Sequence, residues 1–299
     1  MNVLVTGSTG FIGSALVRYL TGKGHEVTRL VRQEPPAGEG QVRWDLDAGA
    51  IDSDGLTGTE VVIHLAAEKI GAKRWTSKQK ARILNSRVQS TSLLVEAMVG
   101  LDPPPKTLLC ASSDVYYGDR GDQVLREESP PGSNFLAEVT SLWEATTEPA
   151  ARRGIRVVNL RFGMVIGPQV KKMLTHLKLG LGSRLGNGKQ FVSWITLDDA
   201  IRAVHHLMDN ESIEGPVNVV TPHPVRNADF MQSLGRVLER PARFPVPALL
   251  LRLMHGEMAD IDLVSAWMEP AKLRASGFEY DHPELEGALR AVLGRPLAM

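Results

Sequence analysis

The stretch NVLVTGSTGFIG at positions 2–13 constrains what this chain can fold into more than any other. Val3, Leu4 and Val5 form a short apolar run of the kind that makes a strand buried on both faces. Gly7, Gly10 and Gly13 follow at a spacing of three, and Phe11-Ile12, Ala15-Leu16-Val17 and Leu20 then recur at helical intervals. Glycines placed between a strand and a helix each have a physical use. The first permits a tight turn, the second lets backbone approach a pyrophosphate, and the third lets the helix pack closely on the strand. The phosphates rest against the unpaired N–H groups and positive end of the helix. The stretch therefore predicts an α/β chain with a dinucleotide as its ligand.

The next strand carries the choice of dinucleotide. Residues 26–31 (EVTRLV) read as the second strand. NAD sites usually place Asp or Glu about 20 residues after the glycines, where it holds the ribose 2′-OH. Here Arg32 stands 19 residues past Gly13. A guanidinium pairs with a 2′-phosphate that a carboxylate would repel, which favours NADP(H) over NAD; the competing reading is a solvated surface arginine. Pro35, Pro36, Gly38 and Gly40 mark a loop, and 41–44 form a short third strand. Asp45 at its end accepts either the adenine amino group or the N–H groups of its own turn. Residues 60–65 (EVVIHL) make the next buried strand and run into Ala66, Ala67 and Glu68, small enough at the alanines for backbone to approach the cofactor's ribose. His64, inside the strand, reads as a core residue.

Alternation of strand and helix continues through a long helix at 77–99, a strand at 106–111, a helix at 135–151 interrupted by Pro149, and a strand at 155–160. The strand at 106–111 delivers Ser112, Ser113, Asp114, Tyr116, Tyr117 and Gly118 to the carboxyl edge of the sheet, where open α/β sheets bind ligands. Beyond about residue 165 the alternation weakens. Residues 1–165 are accordingly expected to form the dinucleotide-binding domain and 166–299 a substrate-binding region, with 196–220 returning to the sheet through a helix at 198–208 and a strand at 216–220. Further helices are expected at 228–238, 249–254, 258–267 and 284–293. Between Glu148 and Asp198 there is no acidic residue, while Arg152, Arg153, Arg156, Arg161, Lys171, Lys172, Lys178, Arg184 and Lys189 all occur. This bias reads either as solvated helix face or as a glycine-rich flap suited to an anionic substrate or the cofactor's phosphates.

Composition narrows the function by exclusion. Lys plus Arg equals Asp plus Glu at 34 each, which argues against nucleic acid or a membrane surface as the default partner and leaves a small-molecule substrate. The only cysteine, Cys110, lies in an apolar run, so no internal disulfide forms, burial is expected, and a reducing, cytoplasmic setting fits. The first strand begins at residue 2, which leaves no room for a signal peptide, and no apolar run is long enough to cross a bilayer. His255, Glu257 and Asp260 lie close in sequence without a second His or Cys at metal-ligand spacing, so no metal site is expected.

TGSTGFIG at 6–13, HLAA at 64–67, SSDVYYG at 112–118 and RFGMVIGP at 161–168 together resemble the extended short-chain dehydrogenase/reductase superfamily. RWT at 74–76, SRV at 86–88, FLAEV at 135–139, GKQFVSWITLDD at 188–199 and PVRNADF at 224–230 are similar to its atypical, epimerase-family branch. The resemblance implies a doubly wound parallel Rossmann sheet with a smaller C-terminal substrate domain, NADP(H) as cofactor, and a homodimer built from the helices 77–99 and 135–151. It implies cofactor contacts at Gly7, Thr9, Gly10, Phe11, Ile12, Gly13, Arg32, Asp45, Leu65, Ala66, Ala67, Glu68, Ser112 and Phe162. Substrate contacts are implied at Arg87, Tyr116, Arg161, Lys189 and Trp194. Ser113, four residues before Tyr117, falls where the superfamily's active-site Ser or Thr stands, although Ser112 is the hydroxyl position of the closer branch. The superfamily's catalytic Tyr-x-x-x-Lys pair is expected near Leu136 and Thr140, yet the helix 135–151 contains neither tyrosine nor lysine. That lysine lowers the tyrosine's pKa so that it passes a proton at neutral pH. Tyr117, Tyr116, Glu138 and Glu68 are the candidate substitutes. The chemistry is then either an NADP(H)-dependent oxidoreductase or epimerase-like reaction with another proton donor, a non-redox isomerase or lyase step beside a structural cofactor, or cofactor binding without turnover.

Overall fold

Val3, Leu4 and Val5 are buried in a computed structural model of the chain, which describes residues 1–33, 40–168, 170, 181–239 and 244–294. Pro35, Pro36 and Gly38 of the expected loop, and Lys171, Lys172 and Lys178 of the basic run, lie outside the described residues. The buried run forms β1 (Asn2–Thr6). The other strands of the central sheet are β2 (Glu26–Val31), β3 (Gln41–Asp45), β4 (Ala50–Ile51), β5 (Val61–His64), β6 (Thr107–Ser113), β7 (Arg156–Phe162) and β8 (Gly215–Val219). Among the described residues the sheet has eight strands in the order β8-β7-β6-β5-β1-β2-β3-β4. β1 pairs in parallel with both β2 and β5, placing Thr6 beside Leu30 and His64, and β2–β3 and β5–β6 are parallel as well. Only the short edge strand β4, which the sequence reading missed, is shown antiparallel, against β3. Strand order runs outward from β1 in two directions. The carboxyl ends of β1 and β5 therefore form the topological switch point at which such sheets take ligands.

The helices follow from apolar spacing and its interruptions. α1 (Phe11–Gly22) buries Gly13, Leu16 and Leu20 along one face. Fully burying a leucine contributes about 1.5–3 kcal/mol, so Leu16 and Leu20 each favour the packing of this face. α2 (Ser77–Val99) opens at Thr76, whose hydroxyl accepts the Gln79 N–H at 3.2 Å, and buries Ile83, Leu94, Val95 and Met98. The helix expected at 135–151 is two, α3 (Phe135–Ala145) and α4 (Glu148–Arg152), because Pro149 suits a first helical turn and not an interior one. α5 (Leu197–Asp209), α6 (Asn227–Val237), α7 (Ala248–His255) and α8 (Leu285–Leu293) match the remaining expected helices closely. The helix expected at 258–267 does not form. A short helix, Asp260–Leu263, stops at the extended Val264, and Trp267–Met268 pairs in parallel with Val124–Leu125 instead.

The chain divides into two compact units, each built from three segments. The first unit comprises Met1–Ser112, Val139–Arg161 and Ile201–Val217. Its core contains Leu4, Val62, Leu94, Met98, Leu108, Cys110, Trp143 and Ile155. The second comprises Ser113–Glu138, Phe162–Ala200 and Asn218–Met299. It has one cluster around Ile166, Trp194, Phe230, Leu234 and Leu289, and another around Tyr117, Leu125, Val220 and Met268. Residues 113–138 thus belong with the C-terminal part of the chain, which the alternation of strand and helix conceals.

Candidate functional site

The glycine turn in the first unit has the geometry its spacing predicts. Gly7 adopts φ 65°, and a Cβ there would lie 2.7 Å from the Leu65 carbonyl carbon, so the turn after β1 passes directly against the chain leaving β5. A Cβ on Gly13 would stand 2.2 Å from the Gly7 oxygen, which fixes how closely α1 packs on the turn. Gly10, exposed, is the residue from which α1 starts. Among the described residues no side chain caps that start, and its first turn holds no acidic residue, which suits an anion at the positive helix end. Thr9 and Phe11 are exposed beside it, and Ile12 is half-buried.

A polar relay beneath the turn locks β1 to β5. Thr6 Oγ1 accepts the N–H groups of Leu65 at 3.1 Å and Ala66 at 3.2 Å, which leaves its own proton for His64 Nδ1 at 2.7 Å. His64 is then protonated on Nε2, which donates to Ser90 Oγ at 3.3 Å, and Ser90 donates to the Ser86 carbonyl at 2.6 Å. Burial keeps the imidazole neutral by pushing its pKa down to about 3. A single tautomer satisfies every member, and the relay presents the 65–67 backbone at the switch point. Arg32 is exposed immediately after β2. The Asp45 carboxylate accepts from the N–H groups of Asp47 at 3.1 Å and Ala48 at 3.0 Å, so it serves its own turn. Glu68, half-buried, takes a 3.5 Å contact from Gln79 on Oε1.

The two serines ending β6 have different surroundings. In the first unit, Ser112 is buried and its hydroxyl donates to Glu144 Oε1 at 2.5 Å. Arg161 grips the same carboxylate through Nε at 2.8 Å and Nη2 at 2.7 Å. This buried bidentate pair fixes α3 to the ends of β6 and β7. In the second unit, Ser113 donates to Asp114 Oδ1 at 2.8 Å. Desolvation pushes the Asp114 carboxyl up to about 6, against the pull of that hydroxyl and two backbone N–H groups.

Several expected site residues occupy other roles. Tyr117 is fully buried and its hydroxyl donates to Asn218 Oδ1 at 2.7 Å, which makes it a core tyrosine and not a free proton donor. Arg161 is buried and paired with Glu144. Trp194 is fully buried and its indole N–H donates to the His223 carbonyl at 3.0 Å. Arg87 donates to the carbonyls of Glu68 and Ile83 and lies 5.0 Å from the Trp143 ring centre, its pKa lowered to about 10 by burial; it ties α2 to the loop after β5. Phe162 is buried, Tyr116 half-buried edge-on to Tyr117, and Lys189 exposed. Glu138 is exposed on α3. The sequence reading gave no role to Glu144. Its signal was a carboxylate four residues beyond Thr140, on the same helical stripe as Leu136. Among the described residues, no cluster of three His, Cys, Asp or Glu is placed to hold a metal ion, and no helix is long and apolar enough to cross a membrane.

An open, mostly parallel sheet with a glycine cradle at its switch point defines a dinucleotide-binding α/β protein. The chain belongs to the NAD dependent epimerase/dehydratase family of the extended short-chain dehydrogenase/reductase superfamily, whose model matches residues 3–220. A model described only as a domain of unknown function (DUF1731) matches residues 246–292. The chain is 35% identical over 298 residues to the epimerase family protein ML0860 of Mycobacterium leprae, covering 98% of this chain and 96% of that one. It is 33% identical over 300 residues to the human epimerase family protein SDR39U1, covering 98% and 100%. The crystal structure of human SDR39U1 (isoform 2) with NADPH is similar with a TM-score of 0.89 at 32% identity, over 98% of this chain and 99% of that one. Fold class and family are as the sequence motifs implied.

Proposed function

We propose that this protein is an NADP(H)-dependent oxidoreductase or epimerase-like enzyme acting on a small carbonyl-bearing or anionic substrate, with a proton donor other than the superfamily's Tyr-x-x-x-Lys pair. The observation that carries the reading is the glycine cradle at the switch point with Arg32 at the end of the neighbouring strand. The cradle fits a pyrophosphate on the structure's own terms, because an exposed Gly10 and an uncapped helix start leave backbone open to an anion. Gly7, Thr9, Gly10, Phe11, Ile12 and Gly13 would hold the pyrophosphate, Arg32 the 2′-phosphate, and Leu65, Ala66 and Ala67 the ribose. NADPH in the human relative's crystal structure supports the phosphorylated form of the cofactor. When bound, NADP(H) supplies or accepts the hydride. Ser113 is the residue proposed to orient the reacting oxygen, since Ser112 already spends its proton on Glu144.

A second reading, an NADPH-binding sensor or scaffold without turnover, is favoured by α3 itself. Leu136 and Thr140, at the positions expected for Tyr and Lys, are both buried and neither can activate a phenol. Melting temperatures measured with NADPH, NADP, NADH and NAD, alongside Arg32→Glu, test the common part of both readings. Ligand at a hundred times its dissociation constant stabilises by about 2.7 kcal/mol. The expected outcome is stabilisation by the phosphorylated pair only, lost in the variant. No shift with any of the four would remove both readings, and NADPH consumption across carbonyl compounds separates one from the other.

A further inference from the structure

We propose that the outer face of α7, in the second unit, is the interface of a two-fold dimer of this chain. α7 turns its apolar side outward. At about 100° of turn per residue, Leu249, Leu253, Leu250 and Met254 fall within an arc of about 140°. The opposite arc carries Ala248, Leu251 and His255, and that side is turned to the protein: Leu251 is buried, Ala248 and His255 half-buried. The apolar arc is left to water, with Leu249 81% exposed, Leu253 74%, Met254 56% and Leu250 45%. Phe244, on the strand leading into the helix, is 60% exposed as well. Half of the ten large apolar side chains exposed among the described residues thus lie between 244 and 254.

The area suits a second copy. A large apolar side chain presents roughly 150 Å² when fully exposed, so the four on the arc offer on the order of 400 Å². One face of a standard interface buries about 800 Å², of which about 56–65% is non-polar, so the arc supplies most of the apolar part of such a face. The charges around it favour a copy over a lipid surface. Between 244 and 263 the chain has one arginine and no lysine against Glu257, Asp260 and Asp262, whereas helices that lie on membranes carry Lys and Arg toward anionic lipid. That arginine, Arg252, is exposed at the margin of the arc, with Nε and Nη2 each 3.4 Å from Asp260 Oδ1. A margin carrying both signs complements itself, because a two-fold axis sets each residue of a patch against a different residue of the copy. Lys plus Arg equals Asp plus Glu over the chain, so two copies meet without net repulsion. The helices that the family resemblance implies for a dimer, α2 and α3, offer less: of their large apolar side chains only Leu142 is exposed.

Sedimentation equilibrium of the full chain at micromolar concentrations compares wild type with Leu253→Glu and Leu142→Glu. Wild type and Leu142→Glu are expected at twice the 32.6 kDa chain mass, and Leu253→Glu at the mass of one chain. The two-fold axis counts each substitution twice, so a change at one central leucine should weaken the dimer on the order of a thousandfold. Leu253 packs mostly against water, and the variant is expected to keep the wild-type circular dichroism. Hydrogen exchange of the wild-type protein needs no variant: amides of 249–254 should exchange more slowly in the concentrated dimer than after dilution to the monomer. A wild type that stays monomeric throughout the range would overturn the proposal. So would a dimer that Leu142→Glu dissolves and Leu253→Glu leaves intact, or exchange at 249–254 that ignores dilution. Flotation of a monomeric wild type with vesicles of phosphatidylcholine and phosphatidylserine, abolished by Leu253→Glu, would give the face to lipid and overturn it too.

Discussion

Glu144 shows how much one residue can carry. Its carboxylate receives the Ser112 hydroxyl and both arms of Arg161, whose side chain is 2% exposed against 12% for its own. Removing one partner of such a pair leaves a buried charge uncompensated, which costs about 3–5 kcal/mol. Glu144→Leu should therefore lower the urea midpoint sharply, while Glu144→Leu combined with Arg161→Leu should recover much of the loss. Additive losses in the double variant would show that the two residues are not coupled. At this scale the sequence was legible where a residue's role is set by its neighbours in the chain. Gly7 and Gly13 need no Cβ because of a turn a few residues long, and strand and helix announce that turn on either side. The partners of Tyr117, Arg161 and Trp194 were not legible because they are remote: the acceptor of the Tyr117 hydroxyl lies 101 positions onward, and no local pattern announces it.

Among elements, α5 is held at its carboxyl end by a side chain from another strand. Arg156 on β7 donates through Nη1 to the carbonyls of Asn210 at 3.1 Å and Ile213 at 2.8 Å, and through Nη2 to those of Leu207 at 3.0 Å and Met208 at 3.2 Å. The last carbonyls of a helix have no partner within it, and a cation there also opposes the helix dipole. Arg156→Met should cost on the order of 3 kcal/mol, each hydrogen bond to a charged group contributing about 1.5–3. Arg156→Lys should recover only part, since an ammonium cannot fork between four acceptors. Hydrogen exchange at 207–213 reads the effect locally, and protection unchanged in Arg156→Met would refute the cap. Buried strands and amphipathic helices were legible because their period is written in adjacent residues. β4 is too short to show a period, and 258–267 misled because apolar residues at helical spacing belong partly to a strand that pairs with Val124–Leu125.

For the whole molecule, the chain changes unit after residues 112, 138, 161, 200 and 217. A boundary drawn once along the sequence therefore cuts a sheet that the chain completes much later. A fragment of residues 1–165 keeps β7 but lacks α5 and β8, so β7 becomes an open edge and the carbonyls that Arg156 serves are gone. The fragment is expected to show no cooperative thermal transition. A sharp melt near that of the full chain would mean the sheet closes without its last strand. The alternation of strands and helices made the first unit readable. Its dependence on residues 201–217 was readable only as a return of the chain, and the allegiance of 113–138 not at all, because membership of a unit is decided by packing and not by period.

Ser112 and Ser113 are the same residue type in consecutive positions, and the chain changes unit between them. Inheritance should treat them as unrelated letters. A lineage that drifts at Ser112 damages a buried anchor and is removed for instability whatever it catalyses. A lineage that drifts at Ser113 keeps that anchor and, on the proposed function, alters the group that meets the substrate. Diversification in descendants of this protein should accordingly begin one peptide bond past the place where its architecture stops tolerating change.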